Sequence, residues 1–137
     1  MAPVIKKGIK ALVDEANQVV REITVVEAIT LYGKEGVQFI DLRDIRELQR
    51  DGVIPGAYHC PRGMLEFWVD PDSPYAKKIF QQDLTFVLFC GGGLRSALAG
   101  RAVVEMGLPD VLHIRGGFAG WRKGEGVIAE YIEKAHA

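Results

Sequence analysis

Leu84-Thr85-Phe86-Val87-Leu88-Phe89-Cys90-Gly91-Gly92-Gly93-Leu94-Arg95-Ser96 is an apolar run that delivers one cysteine into a glycine-rich turn. The residues that follow, Arg95 to Met106, carry helical apolar spacing, so the glycines link a buried strand to a helix N-terminus. Backbone N–H groups and the positive end of the helix dipole then converge on the cysteine sulfur, which favours a thiolate or an attached anion. The stretch therefore predicts a strand–turn–helix unit that is also an active-site loop.

Working outward, Ile5, Ile9, Leu12, Val13, Ala16, Val19, Val20 and Ile23 recur at helical spacing and predict an amphipathic helical extension over residues 1–23. Such a face must pack on the domain or on a second subunit, and it is the natural candidate for a homodimer contact. Thr24-Val25-Val26-Glu27 is a capping-box pattern that opens a second helix, stopped by Gly33. Val37 to Leu42 reads as a parallel-type strand, and Asp44 to Arg50 as a short surface helix closed by Asp51-Gly52. Pro55-Gly56 imposes a tight turn before a brief apolar stretch around Tyr58. Pro71 and Pro74 predict a loop over residues 61–82 with a short helix near Tyr75 to Phe80. Val111 to Ile114 reads as a strand, and Ile128, Tyr131, Ile132 and Ala135 predict a C-terminal helix from Gly126 onward.

Strands separated by helices predict an α/β domain with a mainly parallel sheet, because parallel neighbours need crossover connections. Ligands in such sheets sit beyond the carboxyl ends of the strands. Asp41 and Cys90 both fall at such ends and are expected to share a neighbourhood.

The chain has 137 residues, of which 48% are apolar and 26% charged, with a formal net charge of −1. That is enough for one domain with its own core. No basic stripe is available to neutralise phosphates, so nucleic acid is excluded as a partner. The absence of a continuous apolar span argues against a membrane and for a cytoplasmic location, where Cys60 and Cys90 are expected as free thiols. His59, His113 and His136 lack metal-ligand spacing, so neither a metal nor a dissociable cofactor is expected.

Four motifs occur in order: Ile40-Asp41-Leu42-Arg43, Gly52-Val53-Ile54-Pro55-Gly56-Ala57, Cys90 to Ser96, and Gly116-Gly117-Phe118-Ala119-Gly120-Trp121. Together they resemble a single-domain rhodanese-like sulfurtransferase across residues 24 to 124. The resemblance implies a three-layer domain over residues 24–137, with a central, mainly parallel five-stranded sheet flanked by helices. It implies that Cys90 is the catalytic residue. Cys90 would take a sulfane sulfur from thiosulfate or a persulfide and pass it, as a cysteine persulfide, to a thiol, cyanide or protein acceptor. Gly91, Gly92, Gly93, Leu94, Arg95 and Ser96 would form the substrate-binding loop. The rival reading is a sulfane-sulfur carrier or sensing and interaction module without turnover.

Thiosulfate-favouring members of the family often carry a basic residue directly after the cysteine, where this chain has Gly91. That weakens thiosulfate as the natural donor. Cysteine-dependent phosphatases of related architecture place one more residue between cysteine and arginine than the four, Gly91 to Leu94, found here. The shorter loop suits a sulfur atom better than a phosphoryl group.

Arg95 is the only cation of the loop and either binds the donor's sulfonate or pairs with a carboxylate such as Asp41. Asp41 is expected as a structural partner of Arg95 or of backbone N–H groups, ahead of a direct catalytic role. Arg62 either reaches the substrate entrance or makes a structural salt bridge. Cys60 is expected to be buried, and His113 to be a satisfied core histidine within its apolar strand. Phe67, Trp68 and Tyr75 fit a pocket rim and core packing equally well, whereas Trp121 is expected to anchor the turn after Gly116-Gly117.

Overall fold

In the computed structural model, which describes residues 1–133, the elements run α1 (Ile9–Ala16), β1 (Arg21–Ile23), α2 (Val25–Leu31), β2 (Val37–Asp41), α3 (Ile45–Asp51) and β3 (Tyr58–His59). They continue with α4 (Leu65–Val69), β4 (Thr85–Phe89), α5 (Leu94–Met106), β5 (Val111–Ile114) and α6 (Gly117–Lys123). The five strands pair parallel throughout, in the order β1-β5-β4-β2-β3. The central strand β4 is apolar on both faces because helices cover both. Phe86 and Leu88 join Ile40, Leu65, Ala99 and Val103 on one side. Val87 and Phe89 join Phe39, Ala28, Phe118 and Trp121 on the other. This is the three-layer α/β domain implied by the motifs.

Local sequence explains the helix ends around the site. Thr24 and Glu27 close a reciprocal capping box at α2, and Asp44 and Glu47 close another at α3. Trp121 is fully buried and its Nε1 donates to the Val127 carbonyl at 2.8 Å, so it is a core anchor.

The termini differ from expectation. The predicted helix to Ile23 ends at Ala16, and Arg21–Ile23 is an edge strand in register with Leu112–Ile114. The run Val19-Val20-Arg21-Glu22-Ile23 is rich in β-branched residues, and Val20, just before the strand, and Ile23, within it, are buried in the core clusters on opposite sides of the sheet. The predicted C-terminal helix is absent from the described residues. Ala129 instead makes an antiparallel bridge with Val53, with N–H···O distances of 2.8 and 2.9 Å, and Ile128 packs into the core. Ala135 and His136 lie outside the described residues.

Within residues 61–82 the helix predicted near Tyr75 to Phe80 is a 3₁₀ turn at Lys78–Gln81. Leu65–Val69, read in sequence as loop, is helical and buries Leu65 and Val69.

Candidate functional site

The register of β2 against β4 places Asp41 opposite Phe89, one residue before the cysteine, so the two strand ends do meet. Cys90 is 1% exposed. Its sulfur accepts from the Gly93 N–H at 3.1 Å and from the Ser96 N–H at 3.4 Å, and the Ser96 hydroxyl stands 3.7 Å away. Gly93, at φ +100°, is the left-handed N-cap that turns the chain into α5. Of the loop amides expected around the sulfur, those of Gly93 and Ser96 donate to it directly. Both stabilise negative charge there, as does the helix N-terminus.

The second glycine pair holds the loop from behind. Phe118 N–H donates to the Cys90 carbonyl at 2.7 Å, and Ala119 N–H to that of Gly91 at 3.0 Å. A Cβ on Gly117 would collide with the Cys90 carbonyl oxygen, so only glycine permits this approach.

Arg95 does not reach Asp41 as a partner. Its guanidinium forks onto Glu47 of α3 at 2.8 and 2.9 Å. This pair holds the Glu47 carboxyl below the usual carboxylate range and raises the Arg95 guanidinium further. A Cβ on Gly91 would lie 3.0 Å from Arg95 Nη2 and 3.3 Å from Glu47 Oε1. The guanidinium therefore covers the position directly after the cysteine.

Asp41 is bound instead by Arg43, whose Nε and Nη2 donate to its carboxylate at 3.0 and 2.8 Å. Both side chains are almost fully buried. Arg43 also donates to the Gly52 carbonyl at 2.9 Å and lies over the Phe118 ring at 3.9 Å. The pair thus ties the end of β2 to the turn that backs Cys90. Sequence reading missed Arg43 and Glu47, although Asp-Leu-Arg and the Asp44–Glu47 capping box were the signals available.

Arg62 is bound to Glu66 one helical turn on, at 2.7 Å. Cys60 is buried, and that burial pushes its thiol up to about 12. Trp68 packs edge-on against Tyr58 and under Lys77, while Phe67 and Tyr75 pair with each other on the surface. His113 is fully buried with both ring nitrogens engaged, by Ser96 Oγ at 3.0 Å and Asn17 Oδ1 at 2.6 Å. Asn17 was not read as a site residue in the sequence. No helix among the described residues is long and apolar enough to cross a membrane.

A sequence profile described as "Rhodanese-like domain" matches residues 24–124. The chain is 28% identical over 114 residues to the thiosulfate sulfurtransferase GlpE of Pseudoalteromonas translucida, covering 83% of this chain and 97% of that protein. It is 38% identical over 85 residues to a probable adenylyltransferase/sulfurtransferase MoeZ of Mycobacterium tuberculosis, covering 61% of this chain and only 20% of that one. A solved structure from Rhodopseudomonas palustris, described as a protein of unknown function and possible tyrosine phosphatase, superposes with a TM-score of 0.91. It is 53% identical and covers 94% of this chain and 99% of its own.

Proposed function

The chain belongs to the rhodanese-like family, and from that premise we propose that it is a sulfurtransferase working through a Cys90 persulfide. The observation that carries the reading is the pair of loop amides on the Cys90 sulfur at the head of α5, with the Arg95 guanidinium beside them. A thiolate attacks the outer sulfur of the donor. The Cys90–sulfur bond forms, the donor's S–S bond breaks, and sulfite or a thiolate leaves with the bonding pair. Loop amides from Gly91 to Ser96 then hold the outer, negatively charged sulfur. An acceptor thiolate or cyanide takes that sulfur, and Cys90 departs as thiolate.

Arg95 steers an anionic donor, in competition with Glu47. Gly91 adds no second cation, which supports a persulfide donor over thiosulfate. The near-complete enclosure of Cys90 favours a second reading, in which the persulfide is kept for a specific protein acceptor without free turnover.

Steady-state assay with thiosulfate or glutathione persulfide and cyanide, following thiocyanate, separates these. Turnover lost in Cys90→Ser supports the enzyme, and a stable adduct without turnover supports the carrier. Hydrolysis of a phosphate ester in place of both would overturn the reading.

A further inference from the structure

Ser96 is where the sulfur of Cys90 meets a second buried network. Its Oγ lies 3.7 Å from Cys90 Sγ and 3.0 Å from His113 Nδ1, and His113 Nε2 lies 2.6 Å from Asn17 Oδ1. Ser96 and His113 are both fully buried. The turn after α1, the head of α5 and strand β5 thus converge on one line that ends at the cysteine.

The line has a direction. Asn17 Oδ1 can only accept, so Nε2 carries the ring proton and Nδ1 presents its lone pair to Ser96. The Ser96 hydroxyl donates to that lone pair at 3.0 Å in preference to the Gly93 carbonyl at 3.3 Å. Its own oxygen is then free to accept from the Cys90 S–H.

Burial pushes the His113 imidazole below its ordinary value, so the resting ring is a neutral base. The titratable groups facing it among the described residues are Glu22 on β1, 3.9 Å from Nε2, and Cys90 through Ser96. Arg115 on β5 is bound to Glu22 at 2.9 Å, and the turn after α1 contributes the neutral Asn17.

We propose that His113 is a positioning residue that takes the Cys90 thiol proton through Ser96, setting the reactive state of the sulfur. This deepens the sulfurtransferase reading and rests on it for its purpose. The Cys90 proton passes to Ser96 Oγ while the proton of Ser96 passes to His113 Nδ1. Thiol and imidazole become thiolate and imidazolium with no change in net charge, and the Glu22 carboxylate faces the cation that forms. The proton stays on His113 while the sulfur is carried as a persulfide anion. It returns when the acceptor removes the outer sulfur and Cys90 is again a thiolate.

The test is the pH dependence of Cys90 alkylation by iodoacetamide, read on the Cys90 peptide, because it needs no sulfur transfer. Ser96→Ala and His113→Asn should each lower the rate near pH 6 by on the order of tenfold, as removal of a proton acceptor does. At about pH 10, where thiols ionise unaided, both should stay within about twofold of the parent. Ser96→Ala keeps the test decisive if the buried His113 variant fails to fold. In the unsubstituted protein, nitrogen NMR of His113 should report the Nε2–H tautomer at neutral pH. Parallel profiles in folded variants, or the Nδ1–H tautomer, would overturn the relay. A shifted profile in a protein that never accepts sulfur would uphold the relay while refuting the sulfurtransferase reading.

Discussion

Arg95 and Ser96 are adjacent at the head of α5, yet they serve opposite surroundings. Arg95 is turned outward to Glu47 in a pair whose side chains are 43% and 20% exposed. Ser96 is turned inward to Cys90 and His113 in a network closed to solvent. An ion pair of the first kind is worth about 0–1 kcal/mol and can exchange for an anionic ligand. A buried hydrogen bond left half-made costs about 1–3 kcal/mol, so the second kind fixes geometry. Two consecutive residues of α5 therefore divide an adjustable outer face, suited to recognition, from a rigid inner face that bears on the sulfur.

The comparison depends first on Cys90 being the centre of both faces. Cys90→Ser should lower sulfur transfer by on the order of 10⁴-fold or more, measured as thiocyanate formation. Retained activity would make the two faces irrelevant to function. The next largest effect is structural. Asp41→Ala leaves the Arg43 guanidinium buried without its partner, and denaturant unfolding should show a loss of about 3–5 kcal/mol. A loss as small as that of a surface pair would mean that Arg43 finds water, and that the Asp41–Arg43 pair does not hold the loop's backing.

A pH series sharpens the contrast further. The folded-state value of His113 is lowered, so its contribution to stability is full above the ordinary imidazole value and is lost as pH falls below it. That of Glu47 is lowered too, and its contribution is lost only at lower pH, as the carboxylate range is crossed. Thermal unfolding from neutral to mildly acid pH should therefore fall in the parent and be flatter in His113→Asn. Equal slopes would contradict the buried neutral ring.

The smallest effect belongs to the outer face. Glu47→Gln should change stability by less than about 1 kcal/mol. It should lower the KM for thiosulfate by about twofold to fivefold with kcat nearly unchanged, because Arg95 is released to the anion. An unchanged KM would show that Arg95 only orders the loop.

What the sequence revealed divides along a similar line. Features set by a few neighbouring residues were legible: the capping box at Thr24, the short helix from Asp44, the apolar run of β4, the glycine turn and its cysteine. Features set by which distant groups meet were not. Arg95 reaches 48 residues back to Glu47 and leaves Asp41 to Arg43, its neighbour two residues along. The Asn17–His113 contact spans 96 residues and exists because Arg21–Ile23 joins the sheet beside β5. The i,i+3 spacing of Val20 and Ile23 reads as one helical face, yet in the fold the two residues enter the core clusters on opposite sides of the sheet, and pairing with β5 is what makes Arg21–Ile23 a strand.

The central claim, that Cys90 carries a sulfane sulfur, is tested most directly by intact mass after incubation with thiosulfate or glutathione persulfide. One added sulfur atom, absent in Cys90→Ser and released by cyanide as thiocyanate, is the predicted result. No Cys90-dependent adduct with either donor would contradict it.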